Sequence, residues 1–242
     1  MADDFQFSKS DMDTALQTLA KEFKRLNGKH MPAEIILVGG ASILANYSFR
    51  TQTYDMDALI AASSAMKEAI SRTADKLDLP YDWLNTDFTK TSSYSPALVQ
   101  HSVYYRTFSN ILTVRTVRAE YLVAMKLMAG REYKKDLSDV VGILLDHQNA
   151  GCPISLDAVK RACAELYGSL DKIPPKSLSF IRDVMGYTDL QGLYGQTVSM
   201  ENDARTALIR FEKKYPNVVT QKNLNDMLEI ARRKLKETQS SE

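Results

Sequence analysis

The sequence predicts an α+β protein, with a mixed sheet and flanking helices first and an α-helical region after it. Two observations carry that reading. Runs of β-branched and aromatic residues bounded by turn signals occur before residue 118, and from Ala119 onward every periodic segment has helical spacing. The border near residue 118 gives a head over 1–118 and a helical region over 119–242.

The elements follow in order. "SDMDTALQTLAKEFKRLNG" sets Met12, Leu16, Leu19, Phe23 and Leu26 at helical spacing, behind a capping Ser or Asp and ahead of Gly28. The apolar run at 35–38 is a short buried strand, "ASILANYS" is a helix, and "DMDALI" alternates as a strand does. "SSAMKEAISRTADKLDL" is a further helix, stopped by Pro80. "HSVYYRTF" and "NILTVRTV" are strands, and Ser109-Asn110 between them suits a tight antiparallel turn. Helices then cover 118–129, 133–148, 155–168, 176–186, 200–214 and 221–238, with breaks at Gly130, Gly151-Cys152-Pro153, Pro174-Pro175 and Pro216.

Composition narrows the class. No stretch approaches the roughly 20 apolar residues of a membrane span, and the start "MADDFQFSKSD" is acidic where a secretory signal is basic and then apolar. The expectation is a cytoplasmic protein without a membrane partner. Cys152 and Cys163 are too few for a disulfide framework and lack metal-ligand spacing, so both read as idle or buried thiols. The net charge of +1 is unevenly spread: residues 1–100 hold ten Lys and Arg against thirteen Asp and Glu, and residues 205–236 hold nine against three. A basic flank of that kind can track a nucleic-acid backbone, and it equally complements helix C-termini.

The chemistry sits in "IILVGGASILANYSFRTQTYDMDALI". A strand entering Gly39-Gly40 and then a helix leaves backbone N–H groups at the helix start, and the missing side chains let a phosphate approach closely. Ser42 in the first turn adds a hydroxyl. On the following strand Asp55 and Asp57 are two residues apart, so both carboxylates share one face. Two adjacent carboxylates suit Mg²⁺ (or Mn²⁺), which takes one or two of them together with phosphate oxygens. Each part alone has a plain reading, a tight connection or a solvated strand end. Their joint occurrence in this order points to a phosphate cradle beside a metal platform.

That order resembles the signature of the polymerase-β-like nucleotidyltransferase superfamily. More closely, "VGGASILANYSFRTQTYDMDAL" with "EYLVAMKLMAGREYKKDLSDVVGIL" resembles the minimal bacterial nucleotidyltransferase-like proteins related to AbiEii-type toxins, over residues 34–146. Arg50 and Thr53 look like that group's Arg-x-x-Thr lead-in. The resemblance implies a nucleotidyltransferase-like fold and transfer from an NTP to an acceptor hydroxyl. Gly39, Gly40, Ser42, Arg50 and Thr53 would bind the nucleotide, and Asp55 and Asp57 would hold the metal. Lys126 would face the triphosphate, and Asp136 would complete the catalytic set. An antitoxin protein as partner is a further implication, and RNA as acceptor is expected from the basic composition of residues 205–236.

One departure stands out. Many members of the superfamily supply a third carboxylate from a later strand, and "HSVYYRTFSNILTVRTV" holds no Asp or Glu, its candidate positions being Thr113 and Arg115. Either Asp136, Asp139, Asp82 or Glu120 substitutes, or the chain is a nucleotide-binding relative, weak or inactive in transfer, that acts through protein contacts.

Without the resemblance, Lys126 reads as a surface lysine whose stem covers apolar neighbours, and Asp136 with Asp139 as a solvated acidic face. His30, His101 and His147 have no zinc-site spacing. Trp83 in "DWLN" reads as a packing residue before it reads as the floor of a base-binding cleft.

Overall fold

A computed structural model describes residues 5–27 and 31–216, with Val218, Met227 and Ile230. Its helices are α1 (Lys9–Asn27), α2 (Gly39–Asn46), α3 (Ala65–Leu77), α4 (Ala119–Ala129), α5 (Asp136–Asn149), α6 (Leu156–Tyr167), α7 (Pro175–Gly186) and α8 (Leu190–Lys214). The strands are β1 (Ala33–Leu37), β2 (Met56–Ala61), β3 (Leu84–Asn85), β4 (Ser102–Phe108) and β5 (Leu112–Val117). The chain divides into two compact units, one of Met1–Met125 with Asp157–Lys172, the other of Lys126–Leu156 with Ile173–Glu242.

The first unit is built on a five-stranded mixed sheet in the order β3-β2-β1-β5-β4. β1 runs antiparallel to β2 and parallel to β5, β2 is parallel to β3, and β4 and β5 form a hairpin. "AEIIL" takes the central place because four of its five residues are apolar, and all four are buried. In the hairpin turn Ser109 and Asn110 both have positive φ, 50° and 55°, as a two-residue turn matching strand twist requires. Met12, Leu16, Leu19 and Phe23 of α1 join Ile35, Leu37, Met56 and Leu112 of the sheet in one buried core. Helix α3 ends before Pro80 is reached: Asp78 takes a left-handed conformation and its N–H is bonded to the Ala74 carbonyl. α6 belongs to this unit through the Tyr121 hydroxyl, which donates to Glu165 Oε2, and through the Tyr167 hydroxyl on the Ser93 carbonyl.

The second unit is helical, with α5 packed against α8. The sequence starts the last of these helices at 200, but α8 begins at Leu190, where Asp189 Oδ1 accepts from Gly192 N at 2.8 Å. Gly192 and Gly195 inside the first two turns hide its helical pattern. Arg205, Arg210, Lys213 and Lys214 of the basic flank lie on α8, whereas of the helix expected over 221–238 only Met227 and Ile230 are described, and its Lys222, Arg232, Arg233, Lys234 and Lys236 fall outside the described residues. Among the described residues no helix is long and apolar enough to cross a membrane.

Candidate active site

The sheet ladder places the glycine turn against the aspartates. β1 ends at Leu37, paired with Ala58 of β2, and the next residue, Val38, donates its N–H to the Asp57 carbonyl at 3.0 Å. Val38 is the extended N-cap of α2, and its side chain makes no cap hydrogen bond. The first-turn amides of a helix have no intrahelical partner and can donate to an acceptor from outside it. Gly39 has φ +52°, and a Cβ there would stand 4.0 Å from Asp57 Oδ2. At Gly40 a Cβ would meet Thr53 Oγ1 at 2.7 Å and Arg50 Nη2 at 3.0 Å. Glycine is what lets the Arg50–Thr53 loop lie on the helix start.

That loop is fixed from behind. Phe7 and Thr53 exchange backbone hydrogen bonds of 2.7 and 3.0 Å, and Thr53 Oγ1 donates to the Asp55 carbonyl at 3.2 Å. Met56 and Ala58 are fully buried, while Asp55 is exposed and Asp57 half-buried. The strand alternation thus keeps both carboxylates away from the core. The structure brings together Gly39, Gly40, Arg50, Thr53, Asp55 and Asp57.

Ser42 sits differently. It is fully buried, and its Oγ accepts from Val117 N at 3.0 Å, tying α2 to the end of β5. Trp83 is a packing residue, 1% exposed, with Nε1 on the Ile70 carbonyl and its ring 6.2 Å from that of Phe7. Its carbonyl accepts from Met56 N at 2.9 Å, between the two aspartates.

That contact opens β3, an element absent from the sequence reading. β3 lies beside β2, and its Asn85 is the register partner of Asp57. Thr113 and Arg115 on β5 pair instead with Glu34 and Ile36, so β1 stands between them and the aspartates. The strand adjacent to Asp55 and Asp57 on the far side from β1 therefore presents an amide. Asn85 Oδ1 accepts from Asp87 N at 2.9 Å and its Nδ2 donates to the Asp82 carbonyl at 3.3 Å. A two-residue strand gives no periodicity to read; only the turn-like "DWLN" marks it.

Lys126 and Asp136 lie in the second unit. Lys126 Nζ is 2.9 Å from Asp136 Oδ1 and 2.8 Å from Asp139 Oδ2. Arg131 reaches Asp136 Oδ2 through Nε at 2.7 Å and through its backbone N–H at 3.2 Å. Asp136 is 0% exposed, Asp139 2% and Lys126 8%, so they form neither a surface lysine nor a solvated face. Burial alone would push the Asp136 carboxyl up, but the charges of Lys126 and Arg131 outweigh it and hold the group well below the usual carboxylate range.

Among the described residues no group of three or more His, Cys, Asp or Glu is placed to hold a metal ion. Burial pushes the Cys163 thiol up to about 11, so it stays protonated, while Cys152 is exposed.

A mixed sheet in which a strand runs through Gly-Gly into a helix, with an Asp-x-Asp at the start of the neighbouring strand, is a nucleotidyltransferase-like fold. The chain belongs to the family described as nucleotidyltransferase of unknown function (DUF6036), which matches residues 14–165 and so includes all five strands, both aspartates, Lys126 and Asp136. No curated protein and no solved structure matches the chain.

Proposed function

We propose that this protein is a divalent-metal-dependent nucleotidyltransferase that moves a nucleoside monophosphate from an NTP to an acceptor hydroxyl. The observation that carries the reading is the approach of Gly39 to Asp57, which puts a bare helix start and a carboxylate within reach of one triphosphate. The residues fit the metal: Asp55 and Asp57 are hard oxygen donors, both accessible, and two carboxylates leave the other positions to phosphate oxygens and water. Mg²⁺ or Mn²⁺ held there would neutralise and align the triphosphate oxygens.

The chain's own residues do the rest. The amides at the start of α2 donate to the phosphates, and the absent side chains of Gly39 and Gly40 let those oxygens close on the backbone. Arg50, lying on Gly40, adds positive charge beside them. The acceptor oxygen forms its bond to the α-phosphorus in line as the bond to pyrophosphate breaks, its proton passing to solvent, and positioning supplies most of the catalysis. Ser42 keeps α2 against β5, and Lys126 with Asp136 sets the entry to α5.

An acceptor hydroxyl on RNA and an antitoxin partner extend the proposal; they rest on the AbiEii-type resemblance and on the basic composition of residues 205–236. A second reading, nucleotide binding with weak or absent transfer, draws on Asn85, an amide that accepts no proton beside Asp57. Incubating the protein with each α-labelled NTP, Mg²⁺ and total RNA separates the two. Covalent label on an acceptor with release of pyrophosphate supports transfer; retained but unincorporated nucleotide supports the second reading.

A further inference from the structure

The second unit holds a cavity of about 380 Å³ lined from the segment before α5 and from α5, α7 and α8. That volume is in the range of small-molecule sites. Leu137, Phe180, Val184 and Leu193 give it apolar walls. Its charged lining is three acids, Glu132, Asp183 and Glu201, against one base, Lys176, which itself stands 3.8 Å from Glu132.

Glu201 is the unusual member. It is 5% exposed, and its Oε1 accepts from the Leu137 and Ser138 amides at 2.8 and 3.2 Å, capping the start of α5. Its Oε2 is buried with no hydrogen-bond partner among the described residues. A buried carboxylate oxygen left unpaired is destabilising unless a donor reaches it. Burial, with the Asp139 charge adding to it, pushes this carboxyl up to about 7.

We propose that this cavity binds a small organic cation, a primary amine on an apolar or aromatic body, with the ammonium against Glu201 and the body against Phe180, Val184 and Leu193. An ammonium brings N–H donors to the unpaired oxygen and a charge opposite to the acidic lining. An anion meets three carboxylates. The site is therefore opposite in chemistry to the helix start at Gly39 and does not take the triphosphate.

The test uses the full chain and three probes that share a phenyl body: phenethylamine, 2-phenylethanol and 3-phenylpropionate. Titrations followed by calorimetry and by methyl NMR of Val184, Leu193 and Met200 read affinity and place. Phenethylamine is expected to bind at least about tenfold tighter than the alcohol, with the propionate weakest, and to shift those methyl signals. Glu201→Gln keeps an acceptor for the α5 amides and removes the charge, so it should erase the preference for the amine. Equal binding of all three probes by the native chain, no binding at millimolar concentration, or shifts confined to other methyls overturns the proposal. So does an undiminished preference for the amine in a folded Glu201→Gln. If that variant does not fold, the native probe series decides alone.

Discussion

A side chain on Gly39 would stand 4.0 Å from Asp57 Oδ2. The glycine turn and the Asp57 carboxylate proposed to hold the metal are thus one piece of geometry, fixed by the bond from Val38 N to the Asp57 carbonyl. Gly40 makes the same point on its other side, where Thr53 and Arg50 occupy the space of a Cβ. Gly40→Ala should push the loop before the aspartates away, lower stability by about 1–3 kcal/mol through overpacking, and weaken NTP binding at least tenfold. Chemical denaturation with nucleotide titration checks it; native values for both would show that the loop is not held by this contact.

Lys126 carries a prediction that the sequence reading alone would not make. Read as a point charge facing a phosphate, it could be removed with little effect on folding. Held between Asp136 and Asp139 it cannot, because its loss leaves two buried carboxylates with Arg131 as the cation seen on Asp136. Lys126→Met keeps the stem and removes the charge, and should destabilise by about 3–5 kcal/mol in urea unfolding. A loss below about 1 kcal/mol would return Lys126 to a role in ligand binding.

Glu201 gives a pH dependence whose sign follows from its shift. Its folded value, about 7, lies above the ordinary 4.5, so between those values the folded chain holds the proton more tightly than the unfolded chain. Its contribution to stability is fully present below about pH 4.5, falls as pH rises to about 7, and stays lost above, a change on the order of 3 kcal/mol. The groups facing it are the Leu137 and Ser138 amides and Asp139, with Glu132 and Asp183 elsewhere in the cavity lining. Glu201→Gln should flatten the melting temperature between pH 5 and 7.5 relative to the native chain. Parallel curves for the two would remove Glu201 as the source.

Asn85 offers a gain-of-function test. Asn85→Asp keeps the acceptor for Asp87 N and loses the bond to the Asp82 carbonyl, so it should fold with a loss of about 1 kcal/mol. With a third carboxylate beside Asp57, metal-dependent transfer should rise at least about tenfold, the scale of a general base. An unchanged or lower rate in steady-state assays would mean that Asn85 is not the limiting feature.

The parts of the fold legible in the sequence are those with long period or strong punctuation. α1 shows its buried face in Met12, Leu16, Leu19 and Phe23, and the hairpin shows its turn in Ser109-Asn110. The meeting of the glycine turn with the aspartates was legible because Gly39, Gly40, Asp55 and Asp57 lie within nineteen residues and meet through one antiparallel pair. What was hidden depends on partners distant in sequence. β3 has two residues and exists only through its pairing with β2. For Ser42, expected at the phosphates, nothing local announces that Val117, 75 residues later, donates to its oxygen. Asp136 and Asp139 look solvated by composition and are buried because Lys126 and Arg131 neutralise them.

One binding measurement asks whether Asp55 and Asp57 form the metal platform of a nucleotide site. Calorimetric titration of a non-hydrolysable NTP, with and without Mg²⁺, is run on the native chain and on Asp55→Asn with Asp57→Asn. The expected result is metal-dependent binding to the native chain, no metal-dependent component in the double variant, and a melting temperature unchanged or raised once the two carboxylates no longer repel. Equal binding by both proteins with and without Mg²⁺, or a double variant that fails to fold, would contradict it.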